Sequence, residues 1–114
     1  MKEFTTREQT DKLVELGFEP PKSISGFKTK RPYNVDNMVV FDDTQYPIYA
    51  YSIGELITIL PEGASRGRLY MELHSLWNVG YSNTVLHSSE SELIDALFSF
   101  ILQLKEIGYY DLKR

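Results

Sequence analysis

The stretch SSESELIDALFSFILQLKEIGYY, residues 88–110, constrains the fold of this chain more than any other. It opens with Ser89 and Glu92 at capping-box spacing and then reads as a helix to Ile107, closed by Gly108. At 1.5 Å per residue such a helix is about 27 Å long. On a helical wheel its apolar residues form two stripes. Leu93, Leu97, Phe100, Leu104 and Ile107 make the first; Ile94, Phe98 and Leu102 make the second, roughly 100–140° away. A helix lying on one sheet needs only the first stripe. The second must meet the chain's other helices, or another molecule.

What the helix lies on is written upstream. RLYMELH alternates, with Leu69, Met71 and Leu73 on one side and Tyr70, Glu72 and His74 on the other. WNVGYS alternates again through Trp77, Val79 and Tyr81, and a tight link near Ser75 and Leu76 makes the pair an antiparallel hairpin. Thr84–His87 extends this sheet by a third strand, and Trp77 reads as a core or sheet-face residue. Two further helices precede it. One follows a capping box, either Thr5 with Glu8 or Thr6 with Gln9, docks by Leu13, Leu16 and Phe18, and stops at Gly17 before Pro20 and Pro21. The other is capped by Ser52 with Glu55, buries Ile53, Leu56, Ile57 and Leu60, and ends at Pro61.

The expected fold is therefore α+β. An antiparallel sheet centred on the 68–82 hairpin carries three helices at about 6–16, 53–60 and 90–107. Between the first two helices, residues 19–37 read as a long irregular connection, punctuated by Pro20, Pro21, Gly26 and Pro32. Residues 38–43 and 47–51 read as short extended segments, with Pro47 suited to a sheet edge. At 114 residues the chain is one domain, 1–114, large enough to bury a core without staples.

Tyr51-Ser52 opening a Leu-rich helix, the strand Trp77-Asn78-Val79-Gly80-Tyr81, and the helix start Glu92-Leu93-Ile94-Asp95-Ala96-Leu97 together resemble the phage ABA-sandwich type of small domain. They are also similar to small uncharacterised proteins of gut Bacteroidetes and their phages. The resemblance covers about two-thirds of the chain, and the basic connection at 19–37 departs from it. It implies a helix-and-sheet sandwich and a prophage or other mobile-element setting. It implies no catalytic residues.

Composition narrows the chemistry. With no Cys there is neither a disulfide nor a Cys-ligated zinc. A net charge of −4 disfavours nucleic acid as a partner, since phosphate contacts need clustered Lys and Arg. No signal-peptide h-region and no apolar run of about 20 residues is present, so a cytoplasmic protein without a membrane span is expected. Glu72 and His74 share a strand face, and His87 on a neighbouring strand would complete a metal or hydrolytic site; that face is the solvated one, and outward polar residues explain it better. Asp42 and Asp43 suit a turn. Gly63, Arg66, Gly67 and Arg68 lack the GK[ST] ending of a phosphate loop and fit a helix–strand connection. Tyr109, Tyr110 and Asp111 follow the last helix and fit packing back onto the domain.

Phe27, Lys28, Lys30, Arg31 and Tyr33 combine cations with rings, the chemistry of single-strand nucleic-acid binding and equally of a solvated loop. No cofactor is expected. The expectation for function is a non-enzymatic protein-interaction module, with the surface Ile94, Phe98 and Leu102 covered by a protein partner or by a second copy in a homodimer. The alternatives are nucleic-acid contact through 27–33 and a metal-dependent hydrolase using Glu72, His74 and His87.

Overall fold

The computed structural model describes residues 2–29, 33–35, 37–40, 45–61 and 67–108. Chain order is α1 (Arg7–Glu15), β1 (Ile24–Thr29), β2 (Tyr33–Val35), β3 (Met38–Val40), β4 (Gln45–Tyr49), α2 (Ile53–Ile59), β5 (Leu69–Leu73), β6 (Trp77–Tyr81), β7 (His87–Glu90) and α3 (Leu93–Glu106). The α+β class and its central hairpin are as the alternation requires.

Local chemistry sets the helix ends. Thr6 accepts from the Gln9 N–H while the Gln9 side chain accepts from the Thr6 N–H, which closes the second of the two capping boxes available to α1. At its other end Gly17 takes φ 94°, and Phe18 N–H reaches back to the Leu13 carbonyl, turning Phe18 into the core. Ser52 and Glu55 cap α2 reciprocally.

The three-stranded sheet has order β5-β6-β7, all antiparallel. Register places Leu69 opposite Tyr81, Met71 opposite Val79 and Leu73 opposite Trp77, so one face is apolar and α3 lies on it. Tyr81 sits under α3, its ring 5.5 Å from that of Phe100 and its hydroxyl donating to the Pro61 carbonyl at 2.6 Å. One cluster joins Leu13 and Phe18 to Tyr51, Leu56, Val79, Tyr81 and the buried residues of α3. Among the described residues, no helix is long and apolar enough to cross a membrane.

Three expectations need correction. The segment at 19–37 is not irregular: it contains β1 and β2, and β1 pairs antiparallel with β4 while β2 pairs with β3. Gly26 sits at a bulge in β1, and Pro20 and Pro21 precede that strand. The third strand of the larger sheet is His87–Glu90 rather than 84–87. Consequently α3 begins at Leu93, and Glu92 occupies its N-cap without a side-chain bond. Ser89 cannot serve as the cap because β7 has taken it: its Oγ donates to Asn78 Oδ1 at 2.5 Å, across the β6–β7 ladder.

β1 and β4 form one two-stranded ribbon, here called the arm, and β2 and β3 form a second. None of residues 19–27 and 47–49 belongs to the core cluster. The molecule measures 65 × 31 × 18 Å with a radius of gyration of 18.2 Å. A compact chain of this length would give about 13 Å.

Candidate interaction surface on the β-arm

The second stripe of α3 is not a free surface. Ile94 is 0% exposed, and Phe98 and Leu102 are half-buried against the core. The seven buried residues of α3, from Leu93 to Leu104, fill one continuous arc of about 160° at 100° per residue. Ile94 forms one edge of that arc, and Phe98 and Leu102 fall about 40° and 80° beyond it. The reason is packing on two sides: α3 contacts β6 and β7, and it also contacts α2. The N-terminal segment closes over its start. Lys2 Nζ lies 2.7 Å from Asp95 Oδ1 and Gln9 Nε2 donates to the same oxygen at 2.8 Å. Burial pushes the Asp95 carboxyl up, but these two hydrogen bonds and the Lys2 charge outweigh it and hold the group below its ordinary value.

Unsatisfied apolar surface stands instead on the arm. Ile24 pairs with Tyr49 and Phe27 with Pro47, so these four side chains share one face of the ribbon. A bulge between Ile24 and Gly26 absorbs Ser25 and keeps Ile24 on that face. Phe27 is 61% exposed, Tyr49 50% and Ile24 45%. Ile48 is exposed on the opposite face. At the arm's root, between β4 and the first turns of α1, lies a groove of about 420 Å³ whose walls include Thr10, Pro47, Ile48, Tyr49 and Ala50.

The root itself is firmly tied. Thr5 N–H donates to the Tyr51 carbonyl and Tyr51 N–H to Thr5 Oγ1, both at 3.0 Å. Ala50 N–H donates to the Ser23 carbonyl at 3.1 Å. Glu55 accepts from Lys22 N–H, Ser52 N–H and the Ser23 and Ser52 hydroxyls. Burial raises this carboxyl, the four hydrogen bonds lower it, and the lowering wins. The neighbouring Tyr51 hydroxyl, donating to the Glu19 carbonyl at 2.6 Å, is pushed up to about 12 by burial and then by the Glu55 and Glu19 charges.

The remaining candidates scatter. His74 Nε2 is 3.3 Å from Glu72 Oε2, with both side chains in solvent. His87 is not with them. It stands opposite Gly80 while Glu72 stands opposite Asn78, two strands away and two residues out of step, or about 12 Å between Cα atoms. Its Nδ1 faces the Val85 carbonyl at 3.2 Å. Among the described residues no group of three His, Cys, Asp or Glu could hold a metal. Gly67 has φ 79°, and a Cβ there would come within 2.9 Å of Asn83 N, so it serves the turn. Arg68 N–H donates to Ser82 Oγ beside it. Trp77 is half-buried against the core.

Of the basic and aromatic set, Phe27 and Lys28 lie on β1 and Tyr33 on β2. Lys30 and Arg31 lie outside the described residues, as do Asp42, Asp43, Gly63, Arg66, Tyr109, Tyr110 and Asp111.

Ile24, Pro47, Ile48 and Tyr49 were not marked as surface by sequence reasoning. The usable signal was alternation in the two segments ISGF and PIYA, weakened by the bulge and by Pro47. Comparison of the chain with protein-family models, curated proteins and solved structures returns no match.

Proposed function

We propose that this chain is a non-enzymatic protein-interaction module whose binding element is the β-arm. The observation that carries the reading is the exposed apolar face of Ile24, Phe27, Pro47 and Tyr49 on a two-stranded ribbon outside the core. An isolated two-strand ribbon is marginal in water, and its open edges and apolar face invite another polypeptide. A cytoplasmic location and a prophage or mobile-element setting go with this reading, the latter through the resemblance described above.

The test places a photoreactive amino acid at Phe27 and, as a control, at Val85, an exposed loop residue of the body. Irradiation in cells is expected to give discrete protein adducts from position 27 and not from position 85. Equal or absent labelling at the two positions overturns the reading.

A second reading keeps the same arm for single-stranded nucleic acid, supported by the exposed Phe27 ring next to Lys28 on β1. It requires salt-sensitive binding of a labelled oligonucleotide that is lost when Lys28, Lys30 and Arg31 are replaced together. No mobility shift at low salt removes it.

A further inference from the structure

We propose that the open edge of β5 takes up an extended segment of another protein as a fourth strand of the body sheet. That edge belongs to the body and is independent of the arm described above. Hydrogen bonding fixes which backbone groups it offers. Ser82 N–H donates to the Arg68 carbonyl at 3.0 Å and His74 N–H to the Leu76 carbonyl at 3.1 Å. With Leu69 opposite Tyr81 and Leu73 opposite Trp77, these bonds put Tyr70 and Glu72 in the hydrogen-bonded pairs with β6. The N–H and C=O groups of Leu69, Met71 and Leu73 therefore point the other way. Among the described residues no strand pairs with β5 on that side.

Of the strand edges described, this one is the longest regular one. Its five pairs with β6 run without a register shift, and it contains no Pro, Gly or Lys to blunt the edge. By contrast β1 carries a bulge, β4 carries Pro47, and β2 and β3 have three residues each. β7 is four polar residues long. Exposure rises along β5: Leu69, Tyr70 and Met71 are half-buried, while Glu72 is exposed and Leu73 is 59% exposed.

Side chains define the segment that fits. Leu69, Met71 and Leu73 share the apolar face, so apolar residues at alternate positions of the incoming strand continue that face, and one of them covers Leu73. On the other face Arg68, Tyr70, Glu72 and His74 border a hollow of about 660 Å³ together with Asn78 and Ser82. Glu72 in that row favours a cation opposite it, and Arg68 favours an acid. A strand that continues the all-antiparallel sheet reaches Glu72 before Arg68. The matching segment thus reads, from its N-terminal end, apolar, basic, apolar, any, apolar, acidic, set against Leu73 back to Arg68.

The test titrates the synthetic peptide Ac-SVKVTVES-NH2 into the full chain and follows backbone amide NMR shifts. The amides of Leu69–Leu73 are expected to move most, with saturation by millimolar peptide. N-methylation of the middle valine removes one N–H aimed at the edge while leaving every side chain in place, and it should abolish the shifts. Exchanging the peptide's Lys and Glu should weaken binding by about threefold or more. Glu72→Lys, a change at an exposed position, should weaken binding of the original peptide and restore it when the peptide's Lys is replaced by Glu. Absence of shifts at 69–73, or indifference to N-methylation, overturns the proposal. Equal or tighter binding of the exchanged peptide also overturns it, because the contact is then blind to charge or runs parallel. Shifts confined to 24–29 and 45–49 discard the β5 edge and leave the arm as the binding element.

Discussion

Ile94 and Leu102 differ by one position in branching and by a great deal in surroundings. Both belong to the stripe that the helical wheel assigns to the other helices or another molecule, yet Ile94 closes the filled arc of α3 and Leu102 lies beyond it. Ile94→Ala is expected to cost about 2–5 kcal/mol and Leu102→Ala less than half of that, measured by urea denaturation. Neither should change the mass of the species in solution. Two carboxylates set the acid limb of stability. Glu55 and Asp95 are both held below their ordinary values of 4.5 and 3.8. Their contribution is therefore complete above about pH 4.5 and is lost as the pH falls through the lowered values, because the unfolded chain binds protons first. Urea midpoints measured between pH 6 and pH 3 should fall toward acid, and Glu55→Gln should flatten that fall while lowering the plateau.

At the level of elements, capping chemistry separates what the sequence disclosed from what it did not. Thr6-Gln9 and Ser52-Glu55 were legible because a capping box is local: four residues suffice to form it. Ser89-Glu92 has the same spacing and does not form, because the ladder with Asn78 claims Ser89, and that competitor is eleven residues distant. Ser52→Ala is accordingly expected to lower stability by about 1 kcal/mol through its cap, as read from thermal melts. Ser89→Ala should leave helix content by circular dichroism unchanged while weakening the β6–β7 pairing. The same distinction explains the arm. Alternation over 69–73 and 77–81 is clean and one face is buried, so periodicity reveals it. In β1 the bulge at Ile24/Gly26 breaks the period, and Pro47 in β4 resembles a strand breaker. Only the pairing of the two segments reveals a ribbon. The surface of interest was hidden for that reason, whereas the burial of α3 required knowing that α2 packs against it.

For the whole molecule, the governing fact is that one cluster holds the body together and residues 24–27 and 47–49 of the arm lie outside it. Ile24 and Tyr49 face each other across the ribbon, so a short Gly-containing turn can join 24 to 49 in place of the intervening residues. That shortened chain is expected to melt within a few degrees of the full protein and keep its helix signal. The radius of gyration in solution scattering should fall from 18.2 Å toward about 13 Å. Loss of the fold on excision would show that the ribbon is structural. Such a division also bears on how the chain can change over time. On the proposed reading, substitutions at Phe27 or Tyr49 would alter what the protein touches and spare its folding, whereas nearly any change at the buried Leu97 or Phe100 is felt by the fold. Under that proposal recognition would be free to drift on a constant scaffold, and descendants of this chain would acquire new associates while remaining recognisably one fold.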